Sequence, residues 1–182
     1  MTAFDLSMLS GELNNEQYFS NDNQLSEKLR PVSLSILKDY LFGYDEYTNL
    51  SGSKIDKEQH IDYILTKGHL LFKIQEKIRR YTKWLKHKDF TMEMENGDGK
   101  PGEWHNLKAQ LYLYAWSNTL ENDLVDWMVI NIDQLKRLDI SKYQVQTNDL
   151  HGKAKFVSIP LKDIKYCIID HSKGLWIPAI EK

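Results

Sequence analysis

The chain has 182 residues, of which 41% are apolar, enough for one domain with an ordinary core. Its formal charge of −2 excludes a global basic field, so any attraction to nucleic acid has to come from local segregation of charge. A single cysteine, Cys167, excludes an intramolecular disulfide and a cysteine-based zinc site, and its apolar run Tyr166–Ile169 reads as a buried strand.

Residues 1–15 lack a basic segment followed by an apolar one, so no signal peptide is expected. No apolar run approaches the ~20 residues that cross a bilayer. The expected compartment is the cytoplasm, without a membrane partner. Asn14–Asn23 is rich in Asn, Gln and Ser and reads as a loop, which makes residues 1–25 an N-terminal extension and 26–182 a single domain. Leu34, Leu37 and Leu41 form a helical stripe, so a helix is expected over 31–43, with Pro31 in its first turn and Gly43 as its stop. Residues 44–58 read as a connection.

From His60 the period changes to two. Ile61, Tyr63 and Leu65 alternate with Asp62 and Ile64, Lys67-Gly68 makes a turn, and Phe72, Ile74 and Ile78 alternate with Lys73, Gln75, Lys77 and Arg79. A β-hairpin over 60–67 and 70–79 is expected. Residues 89–95 alternate again, with Glu93 and Glu95 on the polar face, and NGDGKPGE is a strong turn signal. Trp104, Leu107, Leu111 and Tyr114 stand at helical spacing and predict a helix over 103–117. LVDWMVINI (124–132) predicts a buried strand, IDQLKRL a short helix, and 143–147, 155–160 and 164–169 further strands. The expected class is α/β, a mixed central sheet flanked by helices in the order helix, strand, strand, strand, helix, strand.

The polar residues inside the hairpin carry the chemistry. Residues i and i+2 of a strand share a face, so Gln75 and Lys77 point the same way and Asp62 can lie across from them. Glu76 points oppositely, as a solvent-facing or salt-bridged charge. Metal-assisted phosphodiester cleavage needs hard oxygen ligands and a nearby cation for the charge developing on phosphorus.

Asp62, twelve further residues, and then Gln75-Glu76-Lys77 resemble the motif of the PD-(D/E)xK nuclease superfamily, with its restriction-endonuclease-like fold. The order of elements over residues 25–138 also resembles that superfamily's core. The resemblance implies a metal-dependent nuclease acting on DNA with Mg²⁺ or Mn²⁺. Asp62 would be the bridging metal ligand, Gln75 the second ligand in place of the usual carboxylate, and Lys77 the catalytic lysine. It also implies that Gln110 and Tyr114, on the helix after the third strand, face the site, and that Glu27, Glu93 or Glu95 can add an acid. Such enzymes often pair as homodimers to cut two strands. The neutral Gln75 keeps an alternative in view, a catalytically inactive module on the same fold that binds nucleic acid or a protein partner. A third reading is an unrelated α/β interaction protein whose aromatic C-terminal third is an interface.

Residues 77–88, KIRRYTKWLKHK, contain six Lys or Arg and no acid, with Tyr81 and Trp84 interleaved. Arg79, Arg80, Lys83, Trp84 and Lys86 are therefore candidates for a nucleic-acid surface, the basic groups on phosphates and the aromatic ring stacked on bases.

Overall fold

A computed structural model describes residues 15–81, 89–148 and 153–175. Lys83, Trp84 and Lys86 lie outside the described residues. The molecule is mixed α/β, built on a six-stranded mixed sheet.

The chain opens with α1 (Asn15–Tyr40), which is longer than the 31–43 expected and runs through the Asn/Gln/Ser segment read as a loop. It crosses residue 25, and Leu25 and Leu29 are both buried. The helix stops where Gly43 adopts φ 94° and its N–H closes on the Lys38 carbonyl at 2.7 Å, the left-handed ending glycine favours. The connection over 44–58 contains a short edge strand, β1 (Glu46–Asn49), and a short helix, α2 (Lys54–Gln59).

The hairpin forms as its alternation dictates. β2 (Tyr63–Lys67) and β3 (Leu70–Arg79) pair antiparallel, with Gly68 at φ 58° in the turn. β4 (Asp89–Glu95) is a strand, as expected, but it belongs to a second sheet.

The helix expected over 103–117 is not there. The segment gives one short turn, α3 (Glu103–Asn106), followed by a strand, β5 (Leu111–Ser117). All seven residues of β5 are buried, because the strand runs between two layers. Such strands read as continuous apolar runs without alternation, so the helical spacing of Trp104, Leu107, Leu111 and Tyr114 is incidental.

The rest is β6 (Leu124–Asn131), α4 (Ile132–Leu135), β7 (Val145–Asn148), β8 (Ala154–Pro160), α5 (Leu161–Ile164) and β9 (Ile168–His171). The main sheet has the order β1-β2-β3-β5-β6-β9. Its one parallel pair is β3 with β5, and the second sheet has the order β4-β8-β7.

Two apolar layers follow. On one face α1 presses Leu37 and Leu41 against Tyr63, Leu65, Ile74, Leu113 and Val129, and Leu25 and Leu29 against Ile78 and Ala115. On the other, Tyr112, Tyr114, Trp116 and Met128 meet Phe90 and Met92 of β4, Val157 and Ile159 of β8, and the apolar sides of α4 and α5. The central sheet is thus flanked by helices on both sides. Leu37 is 0% exposed. Leu37→Ala is expected to destabilise the protein by about 2–5 kcal/mol, read as a lower urea midpoint with an unchanged slope. Among the described residues no helix is long and apolar enough to cross a membrane.

Candidate active site

Asp62 stands between α2 and β2, one residue before the regular ladder begins. Its N–H donates to the Ile74 carbonyl at 2.9 Å, its carbonyl accepts from Leu50 N–H at 2.8 Å, and its Oδ2 accepts from Glu76 N–H at 2.7 Å. The side chain thus continues the ladder past the Tyr63–Ile74 pair and pins the carboxylate to β3 at the level of Gln75 and Glu76. Burial pushes the Asp62 carboxyl up to about 7, and the Glu76 and Asp56 carboxylates add to the rise. The Glu76 N–H and the Arg30 guanidinium pull the other way.

Gln75 and Lys77 turn to the face covered by the second sheet, beside Tyr112 and Tyr114, their partners in the parallel register. Gln75 is 9% exposed, and its Oε1 is buried without a hydrogen-bond partner. Lys77 Nζ lies 3.7 Å from Glu103 Oε2, and Glu103 Oε1 accepts from the Tyr112 hydroxyl at 2.6 Å. Lys77 also lies close enough to Glu93 to pull down its carboxyl, which burial raises and Glu103 raises further.

Glu76 takes the opposite face, as the strand alternation requires. Of the two expected environments it has the ion pair, but deep under α1. Its Oε1 accepts from Arg30 Nε at 2.9 Å and its Oε2 from the Tyr63 hydroxyl at 3.2 Å. The Arg30 guanidinium lies 4.7 Å over the Tyr63 ring and reaches the Tyr47 hydroxyl and Ser51 Oγ at 3.3 Å each.

The other candidate residues are scattered. Arg79 is wedged between the sheets. It donates to the Tyr114 hydroxyl at 2.9 Å and lies 3.8 Å from Asp89, while Arg80 pairs with Glu121 at 2.8 Å. Glu27 is exposed on α1, across the sheet from Gln75, and Glu95 pairs with Lys155 at 2.8 Å. Gln110 and Tyr114 are not one helical turn apart, because four residues of strand span about 13 Å. Gln110 is exposed, and its Oε1 accepts from Lys73 N–H at 2.9 Å, so it extends the β3–β5 ladder instead of facing the site. Tyr114 does face the Lys77 side, from a strand, with its hydroxyl held by Arg79 and Thr91.

Three residues close to the site carry no signal in the motif: Arg30, Glu103 and Tyr112. Glu103 follows the NGDGKPG turn and reads only as an acid opening a helix. Among the described residues no three His, Cys, Asp or Glu side chains come together as a metal-binding group. Comparison of the chain with protein-family models and with curated proteins gives no match.

Proposed function

We propose that the protein is a metal-dependent nuclease that hydrolyses DNA phosphodiester bonds on a restriction-endonuclease-like core. The observation that carries the reading is local. Asp62 is hydrogen-bonded to the backbone of β3 beside Gln75, whose side-chain oxygen is buried and unpartnered, and Lys77 shares the face of Gln75. The fold lends support through other elements than the sequence order named: 89–95 lies in the second sheet and 103–117 is no helix, but α1, the antiparallel strands β1, β2 and β3, and then β5 parallel to β3 follow one another along the main sheet.

The residues suit Mg²⁺ or Mn²⁺. Such ions take oxygen donors, commonly one or two carboxylates, with water and substrate phosphate completing the shell. Asp62 offers a carboxylate and Gln75 an orphaned carbonyl. A cation bound there would polarise a phosphoryl oxygen and acidify a water. Lys77 would stabilise the charge developing on phosphorus. Glu103, hydrogen-bonded by Tyr112, holds the Lys77 ammonium on that face. DNA is the proposed partner and the cytoplasm the proposed compartment. A homodimer is the arrangement that would cut both strands.

One observation favours the second reading, an inactive module that binds nucleic acid or a protein. Gln75 is neutral where the resemblance calls for an acid, and a neutral oxygen holds a cation less tightly. The two readings part on cleavage. Circular, linear and single-stranded DNA are incubated with Mg²⁺, with Mn²⁺ and with chelator. Cutting is expected with metal only, with a fall of about 10²-fold or more in Lys77→Ala. DNA that stays intact with every metal, or cutting unchanged in Lys77→Ala, contradicts the nuclease.

A further inference from the structure

With Gln75 at the second ligand position, Asp62 is left as the only carboxylate of the motif on this site. The structure brings another one in from the far side of Gln75. In the parallel register Gln75 stands beside Tyr112, and partners in register present their side chains to the same face. The Tyr112 hydroxyl donates to Glu103 Oε1 at 2.6 Å. That bond and the Lys77 ion pair bring Glu103 to the face of Gln75 and Lys77, while Asp62 is pinned to β3 at the level of Gln75 from the other neighbouring strand.

The placement of Glu103 is built into the fold. Gly102 N–H donates to the Met94 carbonyl at 2.9 Å, which stitches the turn to the end of β4. A Cβ at residue 102 would meet Glu93 Cγ, the Glu93 carbonyl oxygen and Glu95 N, each at 2.9 Å, so only glycine allows this approach. Glu103 is 6% exposed, and a buried carboxylate needs a charged partner. Its Oε2 has the ammonium of Lys77, at a loose 3.7 Å. Gln75 Oε1, nine-tenths buried on the same face, has no donor at all. An oxygen-seeking cation is the class of ligand that satisfies two carboxylates and a carbonyl together.

We infer that Glu103 supplies the second carboxylate of the cation site, so that Mg²⁺ or Mn²⁺ is held by Asp62, the Gln75 carbonyl and Glu103. The inference rests on the metal site proposed above and extends its ligand set. A cation taking Glu103 Oε2 would release the Lys77 ammonium toward a phosphate.

The test is calorimetric titration of Mn²⁺ into the metal-stripped full chain. Glu103→Gln is expected to weaken binding at least tenfold. Glu58→Gln, on exposed α2 and paired with Lys54, is expected to bind as the unchanged protein does. Lys77→Met is expected to bind more tightly, because the competing ammonium is gone. Lys77→Met decides the matter if Glu103→Gln does not fold. Unchanged Mn²⁺ affinity in Glu103→Gln, affinity not improved in Lys77→Met, or no Mn²⁺ binding by the unchanged protein overturns the inference. Binding that depends on Glu103 in a protein that cuts no DNA leaves the inference standing and removes the nuclease. Metal-dependent cutting with unchanged affinity in Glu103→Gln does the reverse.

Discussion

Arg30→Met is expected to cost about 3–5 kcal/mol of unfolding free energy near neutral pH. Arg30 lies on α1 with its side chain 10% exposed, and the Glu76 side chain beneath it is 1% exposed. Burial raises both the Glu76 carboxyl and the Tyr63 phenol, and the guanidinium opposes the rise at each. Without it, Glu76 is an uncompensated charge between helix and sheet, or it takes up a proton. The loss also unties α1 from β1 and the following loop, since Arg30 bonds Tyr47 and Ser51. Urea unfolding of Arg30→Met and of the double variant Arg30→Met/Glu76→Gln measures this. The double variant should recover much of the loss, because a neutral amide can keep the Tyr63 hydrogen bond without a buried charge. A single variant within 1 kcal/mol of the unchanged protein would mean that the pair is solvated and α1 is held by its leucines alone.

Asp62→Asn is expected to stabilise the protein at pH 8 by up to about 4 kcal/mol, and to do little at pH 4. Burial pushes the folded carboxyl up to about 7, well above the ordinary aspartate value of about 4. The folded state therefore keeps a proton that the unfolded chain has released. Stability from this group is full below about pH 4 and is lost as the pH rises through 7. Arg30, Glu76, Asp56, Tyr63 and Tyr112 are the charged and titratable groups around it. Asn keeps an oxygen to accept from Glu76 N–H and carries no charge to bury. Thermal melts of both proteins from pH 4 to 8 check the sign. The gap in melting temperature should open as the pH rises, and a constant gap would show that Asp62 is ionised throughout. The cost at neutral pH is what a ligand position looks like before its cation arrives, because stability is given up where a charge is needed.

The hairpin was legible because period-two alternation and the Lys67-Gly68 turn agree, and Asp62 and the Gln75/Lys77 face followed from it. β5 was not. A strand buried on both faces has no polar side to set a period, and Leu111 and Tyr114 happen to continue the helical spacing of Trp104 and Leu107. The same coincidence of spacing places Gln110 and Tyr114 on one helical face in the sequence. The start of α1 was hidden by a polar composition without an apolar stripe, and β1 by its length of four residues. Glu103 was unreadable for a different reason. Its approach to Lys77 depends on the parallel pairing of β3 with β5 and on the close seat of Gly102 against β4, which are long-range facts. The depth of Glu76 likewise depends on where Arg30 of α1 comes to rest.

The most direct measurement is Mg²⁺-dependent cleavage of circular DNA by the unchanged protein beside Asp62→Asn at pH 8. Asp62→Asn is the variant expected to be the more stable of the two, so lost activity cannot come from unfolding. The account predicts cutting by the unchanged protein, none in chelator, and none by Asp62→Asn despite its higher melting temperature. Equal cutting by the two proteins, or none by either, would contradict the assignment of Asp62 as the ligand of a phosphodiester-cleaving site.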